Sequence, residues 1–187
     1  MRITIKDMGK KQDDYLSALK EPIWTTEKNI FNILNSHPDI KYIKTRKKFS
    51  TYRYIPDYQF VAFGNFFIVE FQGFRHYTDP VTIHNDMLKF SVYRSKGFHI
   101  IEVPYFLQLN SDMFYRLFKF EHPSIPDTGF PHGFIHPKAG FPGMFCNKGH
   151  ERYMEIMGSL PSEIFADVIL SVIKRSELLN ISVDYCL

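Results

Sequence analysis

The chain has 187 residues, 44% hydrophobic and 23% charged, enough for one globular domain with its own core. Its formal net charge of +3 is too small to name a partner, and Cys146 and Cys186, far apart, exclude a disulfide framework. No apolar run approaches the ~18 residues of a membrane span, and the charged N-terminal stretch does not resemble a secretory signal; a soluble protein of the host cytoplasm, with no membrane partner, is expected.

Residues 1–24 read as a leader with weak helical character around Asp13 to Leu19. A helix then starts at Thr25 or Thr26, both good N-caps, and runs to Ser36, where His37-Pro38 ends it. Its apolar residues Ile30, Phe31, Ile33 and Leu34 form a stripe to bury. Lys41, Lys44, Arg46, Lys47, Lys48 and Arg53 follow in a stretch without a single acid, within a β-like pattern from Tyr42 to Gln59. Gly64-Asn65 signals a hairpin between Gln59-Phe60-Val61 and Phe66 to Gln72. In the second strand Phe67, Val69 and Phe71 point one way, and Ile68, Glu70 and Gln72 the other.

Asp79-Pro80 reads as N-cap and first residue of a helix to Lys96, with Gly97 past its end. Phe98 to Phe106 is an apolar strand, and the helix before it is long enough to cross over and set it parallel to the Glu70 strand. Beyond Asn110 come a short helix over Met113 to Phe120, a segment from His122 to His150 rich in Pro, Gly, Phe and His, and helices over Glu151 to Met157 and Ser162 to Leu179. The pattern predicts an α/β fold with a mixed sheet of four to five strands flanked by helices. Residues 1–110 form the core with its leader, and 111–187 a mostly helical and loop extension packed on it as part of one structural domain.

The chemistry gathers between Asp57 and Gln72. Carboxylates of Asp57 and Glu70 on adjacent strands can share one hard divalent cation, and an acid flanked by Ile68, Val69 and Phe71 is not cheaply explained by exposure. Such an ion beside a basic surface suits phosphodiester hydrolysis. The basic cluster attracts a phosphate backbone, and 19 Phe and 11 Tyr offer rings for packing or for stacking on bases. If His76 lies near a metal it can act as general base or protonate the leaving oxygen; otherwise it is a histidine packed against Phe74 and Tyr77. On the second helix Thr82, Asp86, Lys89, Tyr93 and Lys96 form one polar stripe. If it faces the sheet, Asp86 orients His76 or a water and Lys89 a phosphate; if it faces solvent, Asp86 and Lys89 are an ordinary surface pair.

Taken together, these residues resemble the PD-(D/E)XK nuclease superfamily, and within it the branch of very-short-patch-repair endonucleases and phage homing endonucleases. The resemblance spans about residues 25–106. Pro56-Asp57 is similar to the first motif and Glu70-Phe71-Gln72 to the second; Gly73-Phe74-Arg75-His76 matches the branch's Gly-x-x-His. Asp86 and Lys89 fit Asp-x-x-Lys/Arg, and Gly97 to Pro104 fits the closing strand. The resemblance implies a restriction-endonuclease-like core and a metal-dependent endodeoxyribonuclease of homing or repair type, using Mg2+ with Mn2+ as an alternative. Asp57 and Glu70 would hold metal, with Glu27, in the place of an acid on the first helix, as accessory carboxylate. The superfamily's usual Lys is replaced by Gln72, which holds a water by hydrogen bonds but brings no charge; His76 or Lys89 would supply that function. Arg75 and Lys96 join Lys44, Arg46, Lys47, Lys48 and Arg53 as nucleic-acid contacts, with DNA the expected partner and RNA left open.

His132-x3-His136 and Cys146-x3-His150 supply four zinc-type ligands, but Gly133 and Pro137 deny the first pair a helix, and the spacing is unlike that of common fingers. A loop over the site or on DNA is expected there rather than structural zinc. The competing reading for the whole chain is a catalytically degenerate protein of the same fold that binds nucleic acid without cutting it, or an interaction protein. Substrate structure, nick or double-strand cut, and oligomeric state are not legible in the residues.

Overall fold

The computed structural model describes residues 25–43, 54–125, 132–133 and 139–180. The leader and residues 44–53, which carry most of the basic cluster, lie outside them. Helix α1 spans Glu27–Ser36. The two threonines before it divide two tasks: the Thr26 side chain caps the helix by accepting from the Asn29 N–H, while the Thr25 hydroxyl, buried, accepts from the Leu109 N–H at 2.8 Å. The helix start is thereby tied to the segment that follows the last strand.

Four strands follow: β1, Lys41–Tyr42; β2, Tyr58–Ala62; β3, Asn65–Gln72; and β4, His99–Pro104. They form an open mixed sheet in the order β1-β2-β3-β4, antiparallel except for the parallel β3–β4 pair. The hairpin turn sits one residue earlier than the Gly64-Asn65 signal suggests. Phe63 and Gly64 are the turn residues, with φ of 50° and 76°, and Asn65 already pairs with Ala62. Positive φ at both central positions is what a tight hairpin of right-twisted strands requires, and Gly64 adopts it without a Cβ clash.

Between β3 and β4 runs the short helix α2, Arg75–Thr78, which the sequence pattern does not signal, and then α3, Pro80–Ser95, capped by the Asp79 carboxylate on the Val81 N–H. The crossover makes β4 parallel to β3, as the length of α3 leads one to expect. Helices α4, Ser111–Phe118, α5, Asn147–Ser159, and α6, Ser162–Leu179, complete the described chain.

Alternation along β3 divides the core. Val69 packs with Ile30, Leu34, Phe60, Phe114 and Phe118 on the α1 and α4 face, whereas Ile68 packs with Phe90 and Tyr93 of α3 on the other. Glu70 and Gln72 share the α3 face. A third cluster joins Tyr77 and Phe106 to Tyr153, Met157, Ile164 and Val168, so α5 and α6 rest on α2 and on the segment after β4. Each such fully buried side chain contributes about 1.5–3 kcal/mol. Among the described residues no helix is long and apolar enough to cross a membrane.

Candidate active site

The last paired residues of the β2–β3 ladder are Tyr58 and Val69, and continuing that register sets Asp57 beside Glu70. The Phe71 N–H, facing past the start of β2, is taken by the Asp57 side chain, whose Oδ2 accepts it at 2.8 Å. One Asp57 oxygen thus closes the ladder. Glu70 is 2% exposed. Burial, followed by the neighbouring Asp57 charge, pushes its carboxyl up to about 8, against the opposing pull of Lys89. Glu27, at the first turn of α1, is raised by partial burial and by the same Asp57 charge. Its backbone carbonyl accepts the Tyr58 hydroxyl, which locks the helix start to β2. Three carboxylates therefore sense one another at this end of the sheet, with Asp57 in the middle.

Helix α3 supplies the cation. Lys89 Nζ lies 2.8 Å from Glu70 Oε2 and 3.3 Å from Asp86 Oδ1. Burial disfavours its charge, but Glu70 and Asp86 outweigh that, so the ammonium stays protonated. Asp86 is 4% exposed, and its Oδ2 meets His76 Nδ1 at 2.6 Å and Arg152 Nη1 at 3.1 Å. Burial pushes the Asp86 carboxyl up, yet His76, Lys89 and Arg152 together hold it below the ordinary range. An ionised Asp86 accepts from Nδ1–H, which makes Nε2 of a neutral His76 the open acceptor. Arg152 extends the network to Glu102 of β4, which lies directly across from Glu70 in the parallel register.

The polar stripe on α3 is thus resolved at its centre and not at its ends. Asp86, Lys89 and Tyr93 face the sheet, and Thr82 turns back to Asp79 at 2.8 Å. Lys96 is exposed at the C-cap, two helical turns from Lys89. Asp57, Glu70, His76, Asp86 and Lys89 are brought into one neighbourhood. Gln72 lies on the same sheet face, 0% exposed, and neither its Oε1 nor its Nε2 has a hydrogen-bond partner among the described residues. Arg75 points outward to Asp79 at 3.1 Å, 79% exposed. Lys44, Arg46, Lys47, Lys48 and Arg53 fall outside the described residues. The flanks of that segment are described: Ile43 donates its N–H to the Gln59 carbonyl, and Tyr54 precedes Asp57 by three residues. Ile43 therefore lies beside the start of β2, at its Asp57 end.

Sequence reasoning missed Arg152 and Glu102, while Tyr93 of the polar stripe presents a hydroxyl that burial and the Glu70 charge keep protonated. A signal for Arg152 existed. It stands beside the buried stripe Gly149, Tyr153, Met157 of α5, where a cation needs a partner. Glu102 is, like Glu70, an acid inside an apolar strand. Of the zinc-type residues, His132 Nδ1 meets Asp167 at 2.9 Å and Cys146 begins α5 with its N–H on the Tyr77 carbonyl; His136 lies outside the described residues.

Among the described residues no three His, Cys, Asp or Glu side chains are gathered into a metal-binding group. The donor chemistry nonetheless suits a hard cation. Glu70 Oε1 and Gln72 Oε1 are buried oxygens without hydrogen-bond partners, and an orphaned buried polar atom costs about 1–3 kcal/mol. Asp57, Asp86 and Glu102 set against Lys89 and Arg152 leave an excess of negative charge, and Glu70, whose carboxyl is pushed up to about 8, adds to it once a divalent ion displaces its proton. Comparison with protein-family models, with curated proteins and with solved structures finds no match for this chain.

Proposed function

We propose that this protein is a metal-dependent endodeoxyribonuclease with a restriction-endonuclease-like core. The observation that carries the proposal is Lys89. Its ammonium reaches Glu70 from α3 at 2.8 Å and so brings to the acidic pair the charge that Gln72 lacks. Asp57 and Glu70, with Glu27 at the edge and the Gln72 amide oxygen behind, would hold Mg2+ or Mn2+. The chemistry such an ion supplies is neutralisation of the scissile phosphate and acidification of water. Lys89 offers its remaining N–H donors to a phosphate oxygen while staying anchored to Glu70 and Asp86. His76 accepts the proton of the attacking water at Nε2, with Asp86 keeping Nδ1 protonated. The basic residues Lys44, Arg46, Lys47, Lys48 and Arg53 would track the DNA backbone.

The test is cleavage of supercoiled plasmid in magnesium. Asp57→Ala is expected to abolish cutting while the circular-dichroism spectrum stays that of the parent; undiminished cutting overturns the assignment. A second reading, a nuclease-like protein that binds DNA without cleaving it, draws on the complete burial of Gln72 and on the occupation of one Glu70 oxygen by Lys89. It predicts salt-sensitive DNA binding by the parent chain and no product with magnesium, manganese or any other divalent ion.

A further inference from the structure

Arg152 comes from the C-terminal part of the chain, yet it holds the histidine–aspartate pair from both sides. Its Nη1 lies 3.1 Å from Asp86 Oδ2 and 3.4 Å from the His76 carbonyl oxygen. Nη2 donates to Glu102 of β4, and the guanidinium stands over the Tyr77 ring at 5.4 Å. One planar group therefore joins α2, α3, β4 and α5. The approach depends on Gly149, one turn earlier on α5: a Cβ there would sit 1.7 Å from the Tyr77 carbonyl oxygen. Lysine, a point donor, would satisfy one end of this fork but not both.

Resting on the nuclease reading, we infer that Arg152 is a positioning residue: it pins Asp86 Oδ2 and the His76 backbone so that the imidazole is held as its Nδ1–H tautomer, with Nε2 as the acceptor. Asp86 is otherwise free to turn toward Lys89, which already engages Oδ1. Without the guanidinium, Oδ2 has no second anchor and the imidazole loses its fixed orientation. The charged groups around His76 are Asp86 on α3 and Arg152 on α5, with Lys89 and Glu102 one contact farther out. Its helix neighbour Arg75 is turned away to Asp79, and Arg94, Lys148, Glu151 and Glu155 line a groove together with Asp86, Glu102 and Arg152.

The experiment follows the His76 ring by nitrogen and carbon NMR across pH in the full, metal-free chain, for the parent, Arg152→Gln and Arg152→Lys, with thermal melts alongside. In the parent, neutral His76 is expected as the Nδ1–H tautomer. Arg152→Gln is expected to shift the population toward Nε2–H, since Asp86 Oδ2 loses its second anchor. Arg152→Lys, which restores the charge but not the fork, does not restore the parent's tautomer population. Plasmid cleavage by Arg152→Gln falls about tenfold or more. A folded Arg152→Gln chain whose tautomer population equals the parent's overturns the inference, whatever its melting temperature. If Arg152→Gln fails to fold because Glu102 is left unpaired, Arg152→Gln with Glu102→Gln removes the pair together and gives the same readout. A parent chain that cuts no DNA refutes the nuclease reading alone, because the NMR measurement does not depend on cleavage.

Discussion

Glu70 carries an unusual load for one side chain. It sits 2% exposed on a central strand, beside the Asp57 carboxylate and against Lys89, and its carboxyl is pushed up to about 8. Between about pH 4.5, where an exposed glutamate ionises, and about pH 8, the folded chain keeps a proton that the unfolded chain has released. The metal-free protein therefore loses stability as pH rises across that interval, by a few kcal/mol in order of magnitude, and levels off above it. Thermal melts in chelator at pH 5, 7 and 9 should show this decline in the parent and a flatter profile in Glu70→Gln; equal slopes would refute the environment described for Glu70. Lys89 is the complementary case. Lys89→Met leaves Glu70 and Asp86 without their shared cation, and a cost of about 3–5 kcal/mol is expected in urea denaturation. Lys89→Met combined with Glu70→Gln should recover a large part of it.

At the scale of elements, the site depends on how two helices meet the sheet. The crossover through α3 sets β4 parallel to β3 and directs Asp86, Lys89 and Tyr93 onto the face that carries Glu70. Helix α5 then approaches α2 so closely that only a glycine fits at position 149, and this contact delivers Arg152. Gly149→Ala places a methyl group against backbone that cannot yield as a side-chain tip would. It is expected to destabilise the protein by about 1–3 kcal/mol or more and to weaken the hold of Arg152 on Asp86. A melting temperature within a degree of the parent would show that the helices can separate without loss.

For the molecule as a whole, Lys44, Arg46, Lys47, Lys48 and Arg53 precede Asp57 in the sequence without an intervening acid. A polyanion would be drawn to such a local run of charge rather than to the small net charge of +3. Replacing Lys44, Arg46, Lys47, Lys48 and Arg53 with glutamine should weaken DNA binding at every sequence alike. The slope of log affinity against log salt should become shallower by roughly 2–4. Titrations by fluorescence anisotropy at several salt concentrations read both quantities, and an unchanged slope would remove this segment from the DNA interface. The C-terminal helices are not a detachable appendage, because Tyr153, Met157, Ile164 and Val168 share one apolar cluster with Tyr77 and Phe106.

By itself the sequence determined most of the elements, though not α2 or the first turn of α5, and which residues share a face of β3 and α3. Thr26 as a cap, the alternation of Ile68, Glu70 and Gln72, Asp79-Pro80 opening α3 and the parallel β4 were all legible, because caps, periodicity and crossover length are local properties of the chain. The same locality limited it. The hairpin turn at Phe63-Gly64 was misplaced by a residue because Gly64-Asn65 is an equally good local signal, and α2 is too short to have a period. Whether the stripe on α3 met solvent or sheet was decided only by tertiary packing, which buried Asp86, half-buried Lys89 and turned an ordinary surface pair into a polar chain ending at Glu70. Arg152 entered that chain from a helix sixty-six residues farther on than Asp86, and no local pattern encodes such a meeting. Burial is a property of the whole fold, and burial is what makes these charges depend on one another.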